Sequence, residues 1–129
     1  MKKMYCSVLE ENDKNSMQKS IRVVVPSDAR EVYYHLEDMA ENLGIPADNA
    51  VWEDLRCEDV KLLAFPFKEN IEVFTLEEFV GADGIQKLFK SARLRGSISL
   101  IGEMNFFCSL ATGTSKVTNW VLEQEGMVE

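Results

Sequence analysis

Apolar positions along this chain change period several times, and each change predicts an element. Met4–Leu9 alternates and reads as a short strand. Glu10–Ser20 is polar and reads as a loop. Ile21-Arg22-Val23-Val24-Val25 is β-branched and stops at Pro26, so a second strand ends there. The two strands together predict an antiparallel hairpin with a long loop. Val32, Leu36, Met39, Ala40 and Leu43 then recur at helical spacing. Ser27 or Asp28, with Glu31 three residues on, caps that helix, and Gly44 followed by Pro46 stops it.

Val51–Cys57 and Val60–Phe65 read as extended segments, the second ending at Pro66. Ile71–Phe74 alternates. Thr75-Leu76-Glu77-Glu78 has the form of a capping box, which predicts a helix with Leu76, Phe79 and Val80 inward, broken at Gly81 and Gly84. Helix resumes over Ile85–Lys90 and ends at Gly96. Ser97–Ala111 fits a helix with Ile98, Ile101, Met104, Cys108 and Ala111 on its buried side. Thr112-Gly113-Thr114-Ser115 reads as a turn, capping a last short helix with Val117, Trp120 and Val121 inward. The mixture predicts one α+β domain over residues 1–129: a small antiparallel sheet with packed helices and a more helical C-terminal third.

Composition adds a globular chain with 46% hydrophobic residues in 129, enough for a core. The uncharged stretches on either side of Glu103 fall short of the ~20 residues that span a bilayer. The apolar N-terminal segment is too short for a signal sequence and runs into Glu10-Glu11. A cytoplasmic protein with no membrane association is the expectation. Cys6, Cys57 and Cys108 are odd in number and widely spread, which predicts buried free thiols rather than a disulfide framework. With one histidine and no CxxC pair, no zinc site is expected, and no cofactor.

Charge changes the picture most. Pro26–Gln86 holds fifteen carboxylates and four basic side chains, while the whole chain carries a net charge of −8. A field of that sign repels nucleic acid and attracts basic sites. Direct nucleic-acid binding is therefore not expected. The partner should be a protein with a basic surface. Laid out at 100° per residue, Glu31, Glu37, Asp38 and Glu41 fall on the side away from the helical stripe. Glu53, Asp54, Glu58 and Asp59 follow on neighbouring segments and complete the candidate partner-binding set.

The catalytic alternatives are thin. Glu53-Asp54 and Glu58-Asp59 could serve acid/base chemistry or a hard cation, but EF-hand offsets are missing. His35 falls on the helix's polar flank, where it reads as a surface residue; a Cys57–His35 dyad has nothing else to support it. Gly81-Ala82-Asp83-Gly84 lacks phosphate-cradle spacing, and Ala111–Lys116 lacks the P-loop order. Lys87, Lys90, Arg93 and Arg95 read as a solvated helix face near a C-terminal dipole end. The run could also dock on another copy's acidic face and make a homodimer.

Val23-Val24-Val25-Pro26-Ser27-Asp28-Ala29-Arg30-Glu31-Val32, leading to Leu36-Glu37, resembles the strand–Pro–helix segment of ArdA-type antirestriction proteins of mobile elements. Trp52-Glu53 with its acidic continuation and Thr75-Leu76-Glu77-Glu78-Phe79 are similar to later parts of that family, over roughly Ile21 to Phe89. The chain departs from the family in being shorter, less acidic, and basic around Lys87–Arg95. The resemblance implies a non-enzymatic inhibitor from a phage or mobile element. It would fill the basic nucleic-acid site of a restriction or CRISPR nuclease. A toxin-neutralising immunity protein or antitoxin is the alternative for a small acidic chain.

Overall fold

In a computed structural model the described residues are 3–10, 19–46, 55, 57–67 and 69–126. Five antiparallel strands form one sheet in the order β1-β2-β3-β5-β4. β1 (Met4–Leu9) and β2 (Ile21–Pro26) make the expected hairpin, in register from Met4↔Pro26 to Leu9↔Ile21. β3 (Tyr33–His35) joins β2 to β5 (Phe74–Val80) through Val23↔Tyr34 and Tyr34↔Val80. β4 (Val60–Pro66) pairs with β5 along its whole length. Among the described residues three α-helices follow from this frame: α1 (Leu36–Asn42), α2 (Ala82–Arg95) and α3 (Leu100–Gln124). The α+β class and the helical C-terminal third stand as read from the sequence. Among the described residues no helix is long and apolar enough to cross a membrane.

Alternation along the strands builds two apolar layers. Ile21, Val23 and Val25 face the helices, where they join Leu36 and Met39 of α1, Leu43 just after it, Leu88 of α2 and Phe106 of α3. Val24, on the other face, packs with Phe65 and Phe79, flanked by Cys6, Tyr33 and Leu63. The sheet curls around this second layer. The Cys6 thiol on edge strand β1 reaches the Ala64 carbonyl on the opposite edge strand β4 at 3.7 Å.

Six sequence expectations are corrected here. The helix expected to start at Ser27 or Asp28 begins only at Leu36. Asp28 does accept a backbone N–H, from Arg30 at 3.1 Å, but the bond closes a turn. Tyr33 and Tyr34, both good strand formers, then pair across β2 and β5. Thr75–Glu78 lies within β5, not at a helix start. Asn70 accepts the Glu72 N–H at 3.1 Å and turns the chain over Ile71-Glu72, so the residues after it are captured by β4.

The third correction concerns Gly84, which lies inside α2 rather than breaking it. The fourth concerns Thr112–Ser115, which lie within the continuous α3. Gly113 sits where α3 crosses β1, and a Cβ there would come 3.3 Å from Leu9 Cδ2. Thr114 helps bind the helix to the sheet, its Oγ1 lying 2.7 Å from the Tyr34 hydroxyl. The buried side of α3 also differs. Phe106, Leu110, Val117 and Val121 go inward, while Ile101, Met104, Cys108 and Ala111 are exposed. Of the cysteines expected to be buried, Cys6 is half-buried and Cys57 and Cys108 are exposed. The predicted segment Val51–Cys57 falls mostly outside the described residues.

Gly44 terminates α1 as read, with φ at 71°. A Cβ there would meet the Ser97 carbonyl oxygen at 2.7 Å, and the Ser97 hydroxyl donates to the Leu43 carbonyl at 2.8 Å. Gly44→Ala should therefore cost about 1–3 kcal/mol through strain and collision together. Urea denaturation measures this; an unchanged midpoint would rule out the close approach of α1 to the α2–α3 turn.

Candidate functional site

The densest polar cluster lies where α1 leaves the sheet. Asp38, in the first turn of α1, is 1% exposed and takes three hydrogen bonds from Arg22 of β2: from the backbone N–H at 3.0 Å, Nε at 2.9 Å and Nη2 at 3.0 Å. Burial pushes the Asp38 carboxyl up. The three bonds from Arg22 outweigh that and hold it well below the usual carboxylate range. Arg22 Nη1 also reaches Glu77 at 3.3 Å.

His35 is buried rather than on the surface, and it caps α1. Its Nδ1 faces two donors, the Asp38 N–H at 3.3 Å and Arg22 Nη2 at 3.2 Å. With Nδ1 accepting, Nε2 is left to carry the proton and donate to Glu77 Oε1 at 3.3 Å. Histidine at this cap was missed because the strand before it was read as helix. Its partners are Arg22, Asp38 and Glu77, not Cys57. The cluster is knit by its own charges. It clamps α1 to β2 and β5.

The candidate partner-binding residues are thus sorted. Asp38 is corrected from surface contact to buried clamp. Glu37 and Glu41 are exposed on successive turns of α1, and Glu41 pairs with Lys19 at 2.9 Å. Glu31 is exposed but lies before β3, off the helix, and accepts a hydrogen bond from the Tyr33 hydroxyl. That bond, helped by burial, pushes the Tyr33 hydroxyl up to about 12. Glu58 is exposed on the 3₁₀ turn Cys57–Asp59. Asp59 turns inward to Lys87 at 2.6 Å. Glu53 and Asp54 lie outside the described residues.

Three of these carboxylates, distant in sequence, converge. Glu31, Glu58 and Asp59 line one open groove of about 890 Å³ between the β2–β3 connection, the start of α2 and α3. Asp83 joins them, against Arg30 and Lys61. Asp83 was not singled out as a binding residue, since nothing local connects it to residues 31 and 58.

The basic run is largely engaged within the chain. Lys87 pairs with Asp59, Arg93 with Glu103 at 2.5 Å, and Arg95 donates to the Ser91 hydroxyl at 3.1 Å. Among the described residues no group of three His, Cys, Asp or Glu side chains is arranged to hold a metal ion. Comparison with known protein families, characterised proteins and solved structures returns no match.

Proposed function

We propose that this chain is a non-enzymatic binding protein whose acidic surface occupies a basic site on a protein partner. The observation that carries the reading is the convergence of Glu31, Glu58 and Asp83 on one open groove, beside the Asp59–Lys87 pair. Glu37 and Glu41 add exposed negative charge on α1. Such a surface attracts lysine and arginine by long-range field and orients them on contact. The resemblance to ArdA-type proteins supplies the class of partner: the nucleic-acid site of a restriction or CRISPR nuclease, blocked competitively in the cytoplasm of a cell carrying a phage or mobile element.

Capture of partners from cells with the tagged chain tests this. A nuclease should be retained at low salt and released as salt screens the contact. Reversing charge in the groove (Glu31→Lys with Glu58→Lys) should slow association by roughly tenfold or more. Reversal on α1 (Glu37→Lys with Glu41→Lys) reports whether that surface also touches the partner. Asp38 is unsuitable for reversal because its loss would strike the fold. Capture of a small toxin instead of a nuclease would favour an immunity protein.

A further inference from the structure

We propose that α3 is the dimerisation helix of this protein, pairing antiparallel with α3 of a second copy across a two-fold axis at Ala111. The helix is 25 residues, about 37 Å long. Its inward side is satisfied by the core. Its outward side carries a second apolar stripe that is largely exposed among the described residues. Leu100 is 69% exposed, Ile101 72%, Met104 59% and Phe107 59%.

The exposed area lies in the upper part of the range for a monomer's largest apolar patch, where such patches often serve an interface. Those four side chains alone present on the order of 500 Å². Cys108, Ala111 and Ser115, all exposed, extend the same side. The total approaches the ~800 Å² that each partner contributes to a stable interface. The stripe is also free of charge. Glu103 turns inward to Arg93, while Lys116 and Glu123 project about 120° from the stripe's centre. Copies of a chain with net charge −8 repel one another over most of their surfaces. This neutral stripe is where they can approach.

The spacing selects a second copy over any other occupant. Counting outward from Ala111, stripe residues follow at intervals of 4, 3 and 4 in both directions, to Leu100 on one side and Leu122 on the other. An antiparallel two-fold pair superimposes those intervals. Phe107 then opposes Ser115 and Met104 opposes Thr118, Leu100 meets Leu122 at each end, and Ala111 meets its own copy where the helices come closest. Such self-complementarity is what an isologous interface requires. It explains why the sequence carries a buried-type periodicity at Ile101, Met104, Cys108 and Ala111 that the monomer does not bury. It differs from a dimer docked by the Lys87–Arg95 run, whose charges are largely engaged internally. Phe107, Ala111 and Thr118 also line the acidic groove, so pairing through α3 would compete with a partner bound there.

Sedimentation equilibrium tests this at up to roughly 100 µM, where a standard-size interface is occupied. The wild-type chain should be a dimer that persists in high salt. Phe107→Glu and Met104→Lys should each be monomeric with an unchanged far-UV circular dichroism spectrum, since both side chains are exposed. Ala111→Cys in a Cys57→Ser, Cys108→Ser background should form a symmetric intermolecular disulfide on mild oxidation. A monomeric wild type would overturn the proposal, whether or not the stripe then bound vesicles or an unrelated peptide. So would a dimer that survives both single substitutions, or one that salt dissociates.

Discussion

Asp38→Ala should destabilise the fold by about 3 kcal/mol, because it leaves the Arg22 guanidinium without its principal partner. Three hydrogen bonds from Arg22 converge on this carboxylate, and Lys19 Nζ lies 3.2 Å from its Oδ1. The expected cost sits at the low end for a broken buried pair, since Arg22 is 32% exposed and can turn part of its charge to water. Asp38→Asn keeps the shape and should cost less. It should also change the response to acid.

The direction follows from the depressed Asp38 carboxyl. A group held below its ordinary value contributes stability that is complete above that value, near pH 4. The contribution is lost progressively as pH falls from there toward the folded-state value. Wild type should therefore lose its advantage over Asp38→Asn as pH drops from about 5 to 2. Denaturant midpoints across that range measure it. A constant gap between the two proteins would mean that the carboxylate's charge does not hold the clamp.

Phe79→Ala should cost about 3–5 kcal/mol, the range for removing a buried aromatic and leaving a cavity. Phe79 is 0% exposed and fills the inside of the curled sheet. Its ring stands edge-on to His35, centroids 5.3 Å apart, and lies 6.1 Å from Phe65. This second apolar layer is small, so few neighbours can move in to fill the gap. The damage should also be visible at a distance. Burial pushes the Cys6 thiol up and keeps it half-covered beside Ala64. Loosening the curl should expose it, so Cys6 should react faster with a thiol reagent in Phe79→Ala than in wild type, with Cys57 and Cys108 replaced by serine in both. Unchanged stability and unchanged Cys6 reactivity would remove Phe79 from its place in the curl.

How far the sequence could be read depends on where each residue's partner lies. The β1–β2 hairpin was readable because alternation, the β-branched run and Pro26 all act locally. The buried stripe Leu36, Met39, Ala40 and Leu43 was readable for the same reason. The boundary before it was not. Asp28 and Thr75–Glu78 carry capping chemistry that serves turns and strands equally well, and only pairing with β2, β5 or β4 decides between them. Gly113 read as a turn because its reason for being small is Leu9, across the fold. The acidic residues showed the same limit. Charge density pointed to this half of the chain, yet periodicity alone could not show that Asp38 faces Arg22. Nor could it show that residues 31, 58 and 83 share a groove. On α3 the apolar rhythm itself was readable. Which side the monomer buries was not, because both sides carry it.

Displacement of labelled duplex DNA from restriction and CRISPR nucleases, titrated with the purified chain at several salt concentrations, tests the acidic-occupant reading most directly. Competitive occupation predicts displacement of DNA from a susceptible nuclease at low salt. The effect should fade as salt rises and weaken by roughly tenfold or more in Glu31→Lys/Glu58→Lys. Nucleases that keep their DNA at every concentration of the chain would contradict it, as would displacement indifferent to both salt and charge reversal.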